Sequence, residues 1–156
     1  MTERVDFYVL KSRTVEERWH FGCRLTEKAY LRELKVVVAG DTAADVETLD
    51  RLLWTFDERS FVPHDVRRDA SAPVATAPVV LTHDLDTIDA ADLLVNLSNR
   101  LPGRLERFAR VAEIIDADEE RRRAGRERFK AYRQLELAVE THQLDDSAGS
   151  ARSHDR

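Results

Sequence analysis

Short apolar runs alternate with longer amphipathic stretches along the chain, and this alternation predicts an α/β fold. Four runs are short and rich in β-branched residues, as strands are: residues 5–10 (VDFYVL), 35–39 (KVVVA), 78–82 (PVVLT) and 92–97 (DLLVNL). Residues 110–115 (RVAEII) form a fifth run of this kind. Apolar runs that are continuous rather than alternating are typical of strands covered on both faces.

Two of the intervening stretches have the spacing of amphipathic helices. Thr14 and Glu17 form a capping-box pair ahead of the first helix, which we expect to reach about residue 34. The second helix should span about residues 43–56. Its apolar stripe, which would face the core, is Val46, Leu49, Leu53 and Phe56. Strands that alternate with helices in this order predict a parallel-type sheet.

A third, strongly charged helix and a polar segment end the chain. Asp116, with Glu119 three residues later, is predicted to open a helix that runs to about Ala138. After residue 140 the sequence has no apolar period and is rich in Asp, Ser, Ala and Gly. We therefore predict a single domain, residues 1–140, followed by a disordered tail, residues 141–156.

Composition narrows the possible classes of function. A chain of 156 residues, 42% hydrophobic and 35% charged, suits one soluble domain. Its net charge of −5 argues against a domain built to bind nucleic acid directly. The single cysteine, Cys23, excludes an internal disulfide and fits a reducing cytoplasm. No apolar run approaches the ~20 residues of a membrane span, and the first residues lack the apolar stretch of a signal peptide.

No sequence motif indicates a catalytic or cofactor site. The first predicted strand is followed by Lys11, Ser12 and Arg13, and none of the five glycines belongs to a phosphate-binding loop. His83 and Asp86 are the nearest approach to a cation site, and a solvated acidic loop is the simpler interpretation. We therefore expect no enzyme activity, no cofactor and no metal. An α/β nucleotide-binding domain or small enzyme is the alternative.

The strongest local charge lies in residues 119–133, which hold seven basic and three acidic residues. On a helix, four basic side chains share one stripe beside Phe129: Arg122, Arg126, Lys130 and Arg133. Such a stripe suits an acidic peptide, because arginine grips carboxylates in a bidentate manner and an aromatic ring seats an apolar anchor. A solvated helix face is the alternative from charge alone. Arg121, off the stripe, is expected to be an ordinary surface arginine.

Aromatic residues near a proline form a second candidate binding patch. Trp54 lies near the end of the second predicted helix, and Phe61, Pro63 and His64 follow a charged turn. Large aromatic side chains dominate the energetics of many protein interfaces. The simpler interpretation is that Trp54 caps the core.

Taken in order, these motifs resemble the chi subunit family of bacterial DNA polymerase III. The resemblance covers about residues 4–140. The segments that carry it are 5–10 (VDFYVL), 21–30 (FGCRLTEKAY), 49–56 (LDRLLWTF), 60–64 (SFVPH) and 126–133 (RERFKAYR). It implies a three-layer α/β/α sandwich with a mostly parallel, mixed sheet, similar to mononucleotide-binding folds but without nucleotide binding or catalysis.

The resemblance also implies an adaptor in DNA replication with two protein partners. One is the acidic, Phe-ended C-terminal tail of single-stranded DNA-binding protein. The residues implied for that contact are Arg122, Arg126, Phe129 and Lys130. The other partner is the psi subunit of the clamp loader, and in some relatives a DNA helicase uses the same surface. The residues implied there are Trp54, Phe61, Pro63 and His64. Direct DNA binding and membrane contact are not expected.

Overall fold

Seven strands and three helices make up the computed structural model, which describes residues 2–68 and 77–144. The strands are β1 (Arg4–Val9), β2 (Val36–Ala39), β3 (His64–Val66), β4 (Val79–Thr82), β5 (Ala91–Asn96), β6 (Phe108–Ile115) and β7 (Val139–Gln143). The helices are α1 (Val15–Leu31), α2 (Ala43–Thr55) and α3 (Glu119–Gln134). Over the described ranges, no helix is long and apolar enough to cross a membrane.

One sheet joins the seven strands in the order β3-β4-β2-β5-β6-β1-β7. Helices α1 and α2 cover one face of this sheet, and α3 covers part of the other face. The predicted α/β sandwich is therefore confirmed. Each strand pairing in the described part of the chain is parallel, so the sheet is more uniform than the mixed sheet that the family resemblance implied.

Helix α3 begins two residues later than its predicted cap. The Asp118 carboxylate accepts a hydrogen bond from the backbone N–H of Arg121 at 3.0 Å, so Asp118 is the N-cap. Asp116 is buried beyond β6. The helix also ends earlier than predicted, because Glu136 adopts a left-handed φ of 62° just after it. A helix end at which a residue other than glycine takes the left-handed conformation is not marked in the sequence.

The predicted tail begins too early. Thr141 lies within β7, which pairs with β1 from Val5↔Val139 to Val9↔Gln143. Leu144, after the strand, is only 3% exposed. An edge strand needs few apolar residues, since one of its sides is open to solvent. The rest of the predicted tail, residues 145–156, lies outside the described residues.

Two glycines allow helices to pack closely against the sheet from opposite faces. A Cβ atom on Gly22 of α1 would lie 2.8 Å from Leu97 Cδ1. A Cβ atom on Gly125 of α3 would lie 2.4 Å from Ile115 Cδ1. Both distances are well below an ordinary carbon contact of about 3.5 Å. Each glycine lowers helix propensity, and each is explained by this close packing.

Candidate protein-binding surfaces

A buried ion pair holds the inner face of α3 against the sheet. Arg128 is 3% exposed, and its Nε donates to Glu113 Oε1 at 2.9 Å. The Glu113 carboxylate, fully buried on β6, also accepts from the Tyr132 hydroxyl at 2.5 Å and from Asn96 Nδ2 at 2.9 Å. Burial, with the negative charge of Glu113, raises the pKa of Tyr132. Tyr132 therefore packs inward and does not shape an exposed pocket.

The predicted basic stripe lies on the flank of α3 that faces β1 and β7. Phe129 marks this flank, because its ring centroid lies 5.2 Å from that of Phe7 on β1. The Arg133 guanidinium lies 5.8 Å from the Phe129 ring centroid. Arg122 and Arg126 precede Phe129 by seven and three residues and share its side of the helix. We call Arg122, Arg126, Phe129 and Arg133 the outer flank of α3.

Two arginines of the outer flank, Arg122 and Arg126, differ from Arg128 in having free guanidinium groups. Arg126 is exposed and Arg122 is half-buried. Within the part of the chain that the structure describes, neither has a hydrogen-bond or ion-pair partner. Lys130 lies at the margin of the flank, 70% exposed, with Nζ 4.0 Å from Glu127 Oε2. An exposed ion pair at that distance does little to fix the position of the Lys130 side chain. Lys130 therefore adds positive charge to the surface but no fixed hydrogen-bond donor.

Arg121 is not the ordinary surface arginine that the sequence suggested. Its Nε donates to both carboxylate oxygens of Asp116 at 3.1 Å, and Nη2 donates to one of them at 2.7 Å. Nη2 also donates to the Arg13 carbonyl at 2.9 Å. The hydrogen bond to Asp116 raises the pKa of Arg121. Arg121 therefore joins the start of α3 to the end of β6 and to the loop that precedes α1.

The aromatic residues predicted as a second patch do come together at the end of α2. The Trp54 and Phe61 ring centroids lie 5.5 Å apart. Trp54 is 45% exposed and Phe61 is 69% exposed, whereas Pro63 is half-buried. The interpretation of Trp54 as a core cap is therefore wrong. We call Trp54, Phe61 and Pro63 the aromatic patch.

His64 lies beneath the aromatic patch and supports it. Its ring centroid is 4.1 Å from that of Trp54, and the residue is only 8% exposed. Nδ1 lies 2.7 Å from the Val62 carbonyl oxygen, and Nε2 lies 2.9 Å from Asp50 Oδ1. With both ring nitrogens engaged, His64 fixes the orientation of Trp54 instead of offering a free ring.

A cleft of about 240 Å³ opens at the carboxyl ends of β2, β4 and β5, the edge where parallel α/β folds hold ligands. His83 and Asp86, the suggested cation ligands, line it. The Asp86 carboxylate is paired with Arg104 Nε at 3.0 Å. Arg100 Nη2 donates to the carbonyl oxygens of His83 and Asp41 at 3.2 Å each. Among the described residues, His83 and Asp86 belong to no group of converging metal ligands.

Asp6, Glu140 and His142 bring three potential ligand atoms within 4.8 Å of one another on β1 and β7. Asp6 Oδ1 accepts from Arg4 Nε at 3.0 Å and lies 2.9 Å from His142 Nε2, while Oδ2 accepts from Arg110 at 2.8 Å. Burial alone raises the pKa of Asp6, but His142, Arg110 and Arg4 together outweigh burial and lower it. Because the two arginines repel a cation, the group is an ion-pair network.

Arg18 is a buried residue that no sequence pattern identified. It is 1% exposed on α1, and its guanidinium donates to the carbonyl oxygens of Ile114 at 2.8 Å, Leu97 at 3.2 Å and Ser98 at 3.1 Å. Burial, followed by the positive charge of Arg128, lowers the pKa of Arg18 to about 10. Arg18 therefore stays charged at neutral pH and fastens α1 to the ends of β5 and β6.

The Arg128–Glu113 pair also escaped prediction, although the sequence contains a signal for it. Glu113 is the single charged residue inside the apolar part of β6, where an unpaired carboxylate is costly. Arg128 lies three residues after Gly125 and four before Tyr132, on the buried side of α3. A lone acid in a buried strand therefore indicated a buried cation on the helix that follows.

Comparison with known proteins identifies the family of this chain. The chain matches the DNA polymerase III chi subunit (HolC) family over residues 1–140. The DNA polymerase III subunit chi of Pseudomonas aeruginosa is 35% identical over 141 residues, which cover 90% of this chain and 96% of that protein. That of Haemophilus influenzae is 26% identical over 137 residues, or 85% and 92%. That of Escherichia coli is 25% identical over 112 residues, or 71% and 75%. The chain therefore belongs to the DNA polymerase III chi subunit family.

Proposed function

We propose that this protein is a non-catalytic adaptor of the DNA polymerase III holoenzyme in the cytoplasm. It binds the acidic, Phe-ended C-terminal tail of single-stranded DNA-binding protein on the outer flank of α3, with Lys130 at its margin. It binds the psi subunit, or in its place a DNA helicase, on the aromatic patch. The observation that carries the proposal is the outer flank itself. Arg122 and Arg126 on this flank have no hydrogen-bond or ion-pair partner among the described residues, although the protein carries a net charge of −5.

The outer flank offers the two kinds of contact that an acidic, Phe-ended peptide needs. Arg122 and Arg126 keep their guanidinium donors free for carboxylates, which they grip in a bidentate manner. Phe129 is half-buried, and its ring is fixed at an edge-on angle of 62° to Phe7. A fixed aromatic ring loses little entropy when an apolar side chain packs on it. The aromatic part of the flank is therefore already organised before the peptide binds.

The position of the two surfaces supports a linking role. The aromatic patch belongs to the layer of α1 and α2, and the outer flank belongs to the opposite layer of the sheet. Two partners on opposite faces of a sheet do not compete for space. An adaptor that holds both partners at once needs this arrangement.

Affinity for one peptide tail should be modest, since the surface is small. The family resemblance implies that single-stranded DNA-binding protein is oligomeric and presents several tails along DNA. Linked tails raise the effective concentration of the second contact to the millimolar range. Avidity then provides much of the tethering.

Fluorescence polarisation tests the assignment with a labelled acidic peptide that ends in Phe. We expect micromolar binding at low salt that weakens as salt rises. Arg126→Ala should weaken binding by about thirtyfold, or about 2 kcal/mol, since it removes a paired guanidinium. Arg32→Ala removes an exposed arginine from the other layer and should stay within about twofold. Absence of binding by the unaltered protein at low salt would refute the proposal.

The alternative of a nucleotide-binding enzyme is less well supported. In nucleotide-binding α/β folds, the phosphates lie at a helix N-terminus beside the strand ends. Here the first turn of α2 is capped by Thr42 Oγ1, which accepts from Asp45 N at 3.0 Å. The Asp41 carboxylate lies 3.3 Å from Arg100 Nε beside it. A phosphate in this place would meet a carboxylate, so we expect no rise in melting temperature with added nucleotide.

A further inference from the structure

Asp50 and Trp54 lie side by side on α2, at the margin of the aromatic patch. They are four residues apart on one helix, a spacing that places two side chains on the same face. Both also contact His64. The Asp50 Oδ1 atom lies 2.9 Å from His64 Nε2, and the Trp54 ring centroid lies 4.1 Å from that of His64. His64 therefore holds a carboxylate next to an indole ring.

Both groups keep part of their surface open to a ligand. Trp54 is 45% exposed, and the Asp50 side chain is 29% exposed. Within the described part of the chain, Asp50 Oδ2 has no hydrogen-bond or ion-pair partner. Arg68 acts on Asp50 through its charge, but the Arg68 guanidinium is paired with Glu47. The second carboxylate oxygen of Asp50 is therefore available to a donor from another molecule.

The surroundings of this pair are acidic. Residues 47–65, which hold the aromatic patch, contain five acidic side chains and two arginines, Arg51 and Arg59. The acidic residues are Glu47, Asp50, Asp57, Glu58 and Asp65. Acidic groups around exposed aromatic rings attract a positively charged partner and repel a negatively charged one. An acidic peptide or DNA is therefore a poor ligand for this side of the protein.

We propose that Asp50 and Trp54 form a site for an arginine side chain of the protein that binds the aromatic patch. A guanidinium is flat, so it stacks on an indole ring while its edge donates hydrogen bonds to a carboxylate. Lysine lacks both the flat face and the paired donors. The inference rests on the proposed function, because it names the chemistry of the partner at that patch.

A short peptide tests the site without any partner protein. The probe is acetyl-Leu-Arg-Leu-amide, and the control peptide carries citrulline, an uncharged isostere of arginine. In NMR titrations, the arginine peptide should shift the indole N–H signal of Trp54 but not that of Trp19, whose Nε1 atom is buried. Asp50→Asn keeps the oxygen that faces His64 but removes the charge, and should weaken the binding by about threefold. Equal shifts with both peptides, or none with either, would overturn the arginine site.

Titration calorimetry with psi then tests the site in the assembly. Asp50→Asn should weaken association by about tenfold, because a charge pair inside an interface is shielded from water. Asp89→Asn makes the same change at an exposed position between β4 and β5, and should stay within about twofold. Equal effects of the two variants would overturn the role of the site in psi binding. A Trp54 shift with the arginine peptide, but no association of psi with the unaltered protein, would refute psi as the partner and leave the arginine site standing.

Discussion

Helix α3 uses arginine in opposite ways on its two sides. Arg128 is 3% exposed and paired with Glu113, whereas Arg126, two residues earlier, is exposed with no partner among the described residues. The Arg128 guanidinium is paired within the protein and holds the helix to the sheet. The Arg126 guanidinium is available to another molecule. The number of charges on a helix therefore does not measure its capacity to bind. What matters is whether each charged group already has a partner within the protein.

The largest expected effect on stability comes from the side of α3 that packs on the sheet. Arg128→Ala leaves the Glu113 carboxylate buried without its cation, which should lower the free energy of unfolding by about 3–5 kcal/mol in urea titrations. Arg126→Ala, on the outer flank, should change it by less than about 0.5 kcal/mol. Replacing both partners, Arg128→Met with Glu113→Gln, removes both charges but keeps an acceptor oxygen for Tyr132 and Asn96, and should recover part of the loss. Similar costs for Arg128→Ala and Arg126→Ala would remove the distinction between the two sides.

A smaller effect tests how closely the inner side packs. Gly125→Ala places a Cβ 2.4 Å from Ile115 Cδ1 and 2.8 Å from Ile115 Cγ1, so we expect a net loss of about 1–3 kcal/mol by overpacking. The same change in an Ile115→Ala background should be neutral or stabilising, since alanine favours the helix by about 1 kcal/mol over glycine. Calorimetry on the double-mutant cycle measures the difference. Equal effects in both backgrounds would contradict the close contact.

The ion-pair network around Asp6 on β1 is another place where charged groups are already paired within the protein. Asp6→Asn should lower the free energy of unfolding by about 1–2 kcal/mol at pH 7, because it weakens charged hydrogen bonds from Arg4 and Arg110. Since the folded-state pKa of Asp6 is lowered, its stabilisation is present above the ordinary value of 3.8 and is lost as the pH falls through the lowered pKa. Urea titrations at pH 7 and pH 3 should show the difference between variant and unaltered protein shrinking in acid. A constant difference would exclude this linkage.

The smallest expected effect on stability comes from a substitution in the aromatic patch. Phe61 is 69% exposed, so Phe61→Ala should change the free energy of unfolding by less than about 0.5 kcal/mol. It should nevertheless weaken association with psi by about tenfold or more, as interface aromatics do. Isothermal titration calorimetry measures that association, and Leu31→Ala, another exposed apolar residue, provides a matched control. Unchanged association would remove Phe61 from the psi-binding surface.

The layers of the fold were predictable because continuous apolar runs and helical stripes mark buried elements. Both edge strands were missed, since β3 has only three residues and β7 carries few apolar side chains. The basic stripe was predictable because residues of like charge recur at helical spacing. The sequence did not show which arginines of α3 are paired within the protein, because the partners of Arg121 and Arg128 lie outside the helix. These partners are Asp116 and Glu113.

The place of β1 in the sheet determines when this protein is able to fold. β1 lies between β6 and β7, so Arg4 pairs with Arg110 and Val5 pairs with Val139. A ribosome that adds about 5–20 residues per second therefore releases β1 roughly 5 to 20 seconds before either neighbour exists. During that interval the apolar side chains of β1 have no sheet to enter. Insertion of β1 into the sheet must therefore follow the synthesis of both β6 and β7.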